Sequence, residues 1–348
     1  MKTRLTELMG IRYPIIQGGM HHFGVPALAA AVSNAGGCGT INRSNYAGNE
    51  EFRNAVREMK SLTDRPFLVN LSLLPDVSVG ENVRETIRIC GEEGVKAIET
   101  AGTNPKDLVP YIHGAGLLSI HKVPGARYAL SAEKAGCDAV TAAGFECAGH
   151  PGRDEIGSLV LTNRAARICR IPVVAAGGYA DGRGLAAALA LGAEGVVMGT
   201  RFLATKECTA HDNFKEWIVK ASENDTLLCQ KSVRNPMRVA NNDCARRCLR
   251  LEREPGATPG SLMSALSGGR AYAACEDGDV EGVLFPVGNA VGLIHEIPSV
   301  KEVIDGIMRE YWETLDRMVR MTCSDSGTEE RDAPTRAARR AMRGGEPR

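Results

Sequence analysis

A chain of 348 residues with 43% hydrophobic and 24% charged side chains can bury a large core, and its composition excludes a disordered polymer. Its 42 basic and 42 acidic residues cancel, which removes the electrostatic case for nucleic acid or an anionic membrane as partner. Met1–Gly10 is polar without a secretory core, and the apolar stretch Leu185–Met198 carries Glu194, so no bilayer span is expected and the chain reads as cytoplasmic.

Apolar, β-branched runs recur along the chain at Tyr13–Gln17, Cys38–Ile41, Phe67–Leu71, Lys96–Glu99, Leu117–Ile120, Asp138–Thr141, Pro172–Ala176 and Gly195–Met198. They are separated by roughly 20 to 35 residues, the length that one parallel strand, one helix and two loops require. Helical stretches lie between them, among them Val25–Asn34, Asn49–Leu62, Asn82–Glu93, Gly125–Ala135 and Gly184–Leu191, and several stop at glycines such as Gly36 and Gly136. Eight such units in series predict a closed (β/α)₈ TIM barrel. The competing fold is an open doubly wound sheet, which normally shows Gly-x-Gly-x-x-Gly after its first strand; here that strand runs into Gln17-Gly18-Gly19-Met20 instead.

After Thr205 the rhythm stops. Residues 206–282 read as a small inserted α/β or mostly helical domain, with residues 1–205 and 283–322 forming the barrel. The segment from Val283 to Met321 is expected to pack back on the barrel. The tail 323–348 is rich in Arg, Glu, Gly, Ala and Pro and is expected to be disordered.

Barrel active sites are built at the carboxyl ends of the strands. The first strand leads into His21 and His22, read as a plain loop because no carboxylate motif accompanies them as metal ligands. Asn70 and Ser72 follow strand three, and His121 and Lys122 follow strand five, adding polar groups at the mouth; Lys122 suits an anion or an electron-rich ring edge, or a solvated rim. Strand six ends in Ala143-Gly144-Phe145-Glu146-Cys147-Ala148-Gly149-His150-Pro151-Gly152, a stiff loop whose His150 can exchange a proton near neutral pH. Cys147 as a nucleophile lacks any residue to orient its base.

Strands seven and eight end in Gly177-Gly178 and Gly199-Thr200, glycine-lined turns that let main-chain N–H groups reach a phosphate. Asp181 reads as a helix N-cap. Eleven scattered cysteines suit reduced thiols, and Cys244 with Cys248, four apart on one helix face, lacks the second pair of a metal site.

Together these segments resemble the nitronate monooxygenase family, nearest to its NADH:quinone reductase members, from Leu5 to Met318. The resemblance is carried by Pro14–Met20, Glu99-Thr100-Ala101-Gly102, Phe145–Gly152, Ala176–Gly184 and Met198–Leu203. It implies a non-covalent FMN, with Gly177, Gly178, Gly199 and Thr200 on its phosphate and Gly19, Met20, Asn70, Ser72, Lys122 and Gly149 along its ring and ribityl chain. It makes His150 the catalytic histidine.

The implied chemistry is reduction of FMN by NADH, NADPH or an alkyl nitronate, with reoxidation by quinone or O₂ and no metal. A flavin-dependent enoyl-thioester reductase shares the histidine loop; a colourless phosphate-binding lyase or isomerase and an inert flavin-binding module are the remaining alternatives. Two departures from the family pattern stand out, Ala143 in place of an acidic residue and Asn289 in place of glutamine, and the loop His21–Gly24 is unusual.

Overall fold

Strands covered on both faces need apolar side chains throughout, and the runs read from the sequence form one eight-stranded parallel sheet. The structure is a computed structural model that describes residues 1–73, 80–258, 260–262, 266 and 271–323. The strands are β1 (Ile15–Gln17), β2 (Gly39–Asn42), β3 (Phe67–Ser72), β4 (Ala97–Ala101), β5 (Leu118–Val123), β6 (Ala139–Ala143), β7 (Val173–Ala176) and β8 (Gly195–Met198). Each pairs with its sequence neighbour from β2 to β8, and β8 returns to β1 through the register Ile16 with Val197.

The remaining seam, between β1 and β2, holds a parallel bridge from Ile16 to Cys38. Beside it the Gln17 carboxamide acts as a spare peptide group: Oε1 accepts from the Thr40 N–H at 3.1 Å and Nε2 donates to the Thr40 carbonyl at 3.1 Å. The barrel therefore closes, as the serial repeat of units predicts.

Period-two alternation sorts the strand residues. Ile16, Cys38, Leu68, Ala97, Ile120, Ala139, Val174 and Val197 fill the inside. Leu5 and Met9 of α1 (Arg4–Met9) join that cluster and plug the amino-terminal end of the barrel. Outward residues such as Val69, Ile98 and Val140 meet the ring of helices.

That ring is α2 (Pro26–Asn34), α3 (Asn49–Leu62), α4 (Glu81–Glu92), α5 (Val109–Gly114), α6 (Ala126–Lys134), α7 (Ser158–Ile168) and α8 (Gly182–Ala190). In α3 the buried side chains Phe52, Ala55, Val56 and Met59 fall at the 3.6-residue period of one face. The two remaining units hold α5 and α7; α5 is only six residues long, too short for a periodic signal.

After β8 come α9 (Thr200–Leu203) and α10 (Asp212–Lys220), then an antiparallel hairpin of β9 (Thr226–Cys229) and β10 (Met237–Ala240), then α11 (Asp243–Leu251) and a helix at Ala271–Asp277. Phe214 and Ile218 of α10 share a cluster with Phe202 and Leu203, while Cys229, Val239, Ala245 and Cys248 form a small cluster of their own. The final helix, Val300–Cys323, brings Ile304, Ile307 and Tyr311 into the cluster that holds Leu185 of α8, so this segment does pack back on the barrel. The tail expected to be disordered lies outside the described residues from 324 onward. No helix among the described residues is long and apolar enough to cross a membrane.

Candidate active site

The same alternation decides which polar residues look into the barrel. Strands three and five run further than composition suggests, because polar residues at their carboxyl ends still pair in register, Ser72 with Ala101 and Lys122 with Thr141. Asn70, Ser72, His121 and Lys122 are therefore members of β3 and β5, which corrects the expectation that Asn70 and Ser72 follow strand three and His121 and Lys122 follow strand five. Asn70, Ser72 and Lys122 share the inward parity of Leu68 and Ile120. His121 takes the opposite parity and leaves the mouth altogether.

His121 is 4% exposed on the outer face, with Nδ1 2.8 Å from the Thr100 hydroxyl. Burial drives its pKa down to about 4, against a hydrogen bond that the ring donates to the Thr100 backbone and with help from the Lys122 charge. It is a neutral core histidine.

Inside, Glu99 is 3% exposed and accepts from the Asn70 side-chain amide at 2.8 Å and the Thr141 hydroxyl at 2.9 Å. A carboxylate only accepts, so the Asn70 Nδ2 faces Glu99 and its Oδ1 is left over. Gly19 packs on this amide: a Cβ there would overlap the Asn70 side chain, so its small size serves Asn70 packing. Lys122 makes no hydrogen bond or ion pair among the described residues, although its charge lowers the affinity of His150 for a proton.

His150 keeps a solvent-facing side while its ring is hemmed in by protein. Its Nδ1 lies 3.0 Å from the Pro236 carbonyl, which can only accept; Nδ1 thus carries the hydrogen and neutral His150 presents the Nε2 lone pair. Desolvation holds its pKa below the ordinary histidine range, the Pro236 contact opposes this, and Lys122 adds to it. Cys147, by contrast, is pushed up to about 11 by burial and stays a thiol, which disfavours it as a nucleophile.

Gly149 pairs with Arg238 in an isolated antiparallel bridge, so the histidine loop is stitched to the β9–β10 hairpin. Glu146 accepts from the Ser158 backbone N–H at 2.8 Å and from its hydroxyl at 2.8 Å, fastening the loop's other side to the start of α7. Neither Pro236 nor Arg238 announces itself in the sequence as part of the site. The carbonyl of a proline in an irregular segment carries no sequence signal, and an arginine in a strand reads as surface.

Beyond β7, Gly177 and Gly178 adopt φ of 91° and 81°, conformations open to glycine and rare for other residues. Their turn, with Gly199 and Thr200 beyond β8, presents main-chain N–H groups: those of Gly178, Gly199 and Thr200 have no acceptor among the described residues. Thr200 Oγ1 accepts from the Gly288 N–H at 3.1 Å and keeps its own proton to donate. Met20 is half-buried with Sδ over the open side of Gly199. Asp181 does cap α8, accepting from the Gly184 N–H at 2.7 Å.

The rings of His21 and His22 lie tilted against each other with centroids 3.9 Å apart, and burial followed by the His21 charge takes His22 down to about 4. Cys244 and Cys248 both lie buried on α11.

The arrangement offers unbonded N–H donors fit for an anion, an unpaired ammonium and amide oxygen inside the barrel, and an imidazole lone pair at its rim. A phosphorylated, polar-edged cofactor fits these groups.

The sequence profile of the nitronate monooxygenase family matches residues 2–310. A Rhodococcus jostii protein named (3aS,4S,5R,7aS)-5-hydroxy-7a-methyl-1-oxo-octahydro-1H-indene-4-carboxyl-CoA dehydrogenase is 31% identical over 91% of this chain and 98% of its own length. A probable nitronate monooxygenase of Staphylococcus saprophyticus is 32% identical over 70% of this chain and 79% of its own. Among solved structures, FabK from Thermotoga maritima superposes with a TM-score of 0.85 at 40% identity, covering 92% of this chain and 99% of that one.

Proposed function

Because the chain belongs to the nitronate monooxygenase family, we propose that it is an FMN-dependent oxidoreductase in which the Nε2 of His150 serves as the proton acceptor. The observation that carries this reading is the Nδ1 contact of His150 to Pro236, 3.0 Å long, which leaves a lone pair on Nε2 at the mouth. The main-chain N–H groups of Gly178, Gly199 and Thr200 would hold the cofactor phosphate. Lys122 and the Asn70 Oδ1 would meet polar edges of the ring system. When bound, the flavin supplies the two-electron chemistry. His150 takes a proton from a carbon acid such as an alkyl nitronate's parent, or donates to developing charge on the substrate once protonated. NADH or NADPH is the alternative donor, and quinone or O₂ the acceptor.

A second reading, redox chemistry beside an acyl-thioester carbonyl, is favoured by one observation. The R. jostii relative with CoA in its name covers 91% of this chain, against 70% for the probable nitronate monooxygenase. An absorbance spectrum of the purified protein, then anaerobic titration with NADH, NADPH, an alkyl nitronate and crotonyl-CoA, separates the readings. Flavin bleaching by nicotinamide alone selects a reductase, and oxidation of reduced protein by crotonyl-CoA selects the thioester reading. Failure of the purified protein to contain or take up FMN overturns both.

A further inference from the structure

A guanidinium is rarely placed in a protein interior without a carboxylate, because desolvation of the charge is costly. Arg238, the second residue of β10, is 7% exposed and has no ion pair among the described residues. Burial lowers its pKa, opposed by Cys147, Glu146 and Glu155. Its side chain is satisfied instead by neutral acceptors: Nε donates to the Phe145 carbonyl at 3.1 Å and Nη1 to the Thr226 hydroxyl at 3.0 Å. The guanidinium carbon stands 4.8 Å above the centre of the Phe145 ring. Its backbone is equally committed, with N–H to the Gly149 carbonyl at 2.7 Å and carbonyl to the Gly149 N–H at 3.1 Å.

These bonds grip both ends of one short loop. Phe145 opens the histidine loop and Gly149 precedes His150, while Pro236, two residues before Arg238, accepts from the His150 ring. The far side is closed by Asn289, one of the two residues that depart from the family pattern. Its N–H donates to the Glu146 carbonyl at 3.0 Å, and its amide reaches the Glu223 carbonyl at 2.8 Å and Thr226 Oγ1 at 3.3 Å.

We propose that Arg238 is a positioning residue for His150, locking the loop 145–150 to the β9–β10 hairpin so that the Pro236 carbonyl fixes the imidazole in its Nδ1–H tautomer. The catalytic consequence rests on the reading of His150 as the base; the tautomer itself does not. An arginine that only braces the hairpin would lower stability when replaced and leave the tautomer of the folded protein alone.

The test is a long-range ¹H–¹⁵N correlation spectrum of ¹⁵N-histidine protein, with His150 assigned among the seven histidines by His150→Gln. Above its pKa, wild-type His150 shows the Nδ1–H pattern. Folded Arg238→Met populates the Nε2–H form, Arg238→Lys restores the wild-type pattern in part, and turnover in Arg238→Met falls by about 10²-fold with little change in KM or flavin content. Thr226→Val, a milder change that removes the Nη1 acceptor, gives a smaller shift in the same direction should Arg238→Met fail to fold. A wild-type His150 pattern in a folded Arg238→Met or Thr226→Val protein overturns the proposal. A shifted tautomer with unchanged turnover upholds the positioning and overturns His150 as the base.

Discussion

The Nδ1 of His150 and the carbonyl oxygen of Pro236 lie 3.0 Å apart although 86 residues separate them in the chain. One residue comes from the loop after β6, the other from the hairpin beyond the barrel. Their contact determines which ring nitrogen faces the mouth.

His150→Ala removes that base. It should retain FMN and slow turnover by about 10²-fold or more, read as kcat under saturating donor. Unchanged turnover would remove His150 from the chemistry.

The pKa of His150 lies below the ordinary value, so the base is free at neutral pH and is lost only as pH falls through that lowered pKa. Lys122 contributes to the depression. Lys122→Met should therefore move the acid limb of the pH–rate profile to higher pH and weaken FMN binding; a limb that stays in place would show that the lysine is too well screened to matter.

Gly178 holds φ of 81° with an N–H that has no acceptor among the described residues. Valine rarely adopts that conformation and would turn the N–H aside. Gly178→Val should purify with little flavin, measured as the ratio of visible to ultraviolet absorbance, and full loading would contradict the phosphate assignment.

Glu99 accepts from Asn70 and Thr141 deep in the barrel. Glu99→Leu orphans two buried donors and should destabilise the fold by about 2–4 kcal/mol in urea denaturation, whereas Glu99→Gln, which keeps one acceptor, should lose about half as much. Equal losses would mean that packing, and not hydrogen bonding, sets the effect.

The folded-state pKa of His121, about 4, is below the ordinary histidine value of 6.5. The unfolded chain therefore binds the extra proton first as pH drops. Stability conferred by neutral His121 is full above pH 6.5 and declines down to about pH 4, by roughly 3 kcal/mol in all. His121→Asn should flatten the stability profile across that window, and a profile as steep as wild type would assign the acid sensitivity elsewhere.

The eight strands could be read from the chain because burial on both faces demands uninterrupted apolar runs, and each run was located to within a few residues. The glycine turn after β7 is visible because φ values of 91° at Gly177 and 81° at Gly178 select glycine, leaving its signature in the sequence. His150 stood out for the same reason, framed by glycine and proline.

What lay hidden was direction and distance. Neighbouring His121 and Lys122 look alike in composition, yet strand alternation sends one outward to a neutral burial site and the other inward to the mouth. Gly19 owes its small size to Asn70, across the barrel interior, which no local pattern records. The amino-acid sequence by itself determined the barrel and the glycine turns at its mouth, since backbone conformation and burial act on residues where they stand. Tertiary structure alone decided the tautomer of His150 and the parts played by Pro236 and Arg238, since hydrogen bonds between remote segments exist only once the chain has folded around them.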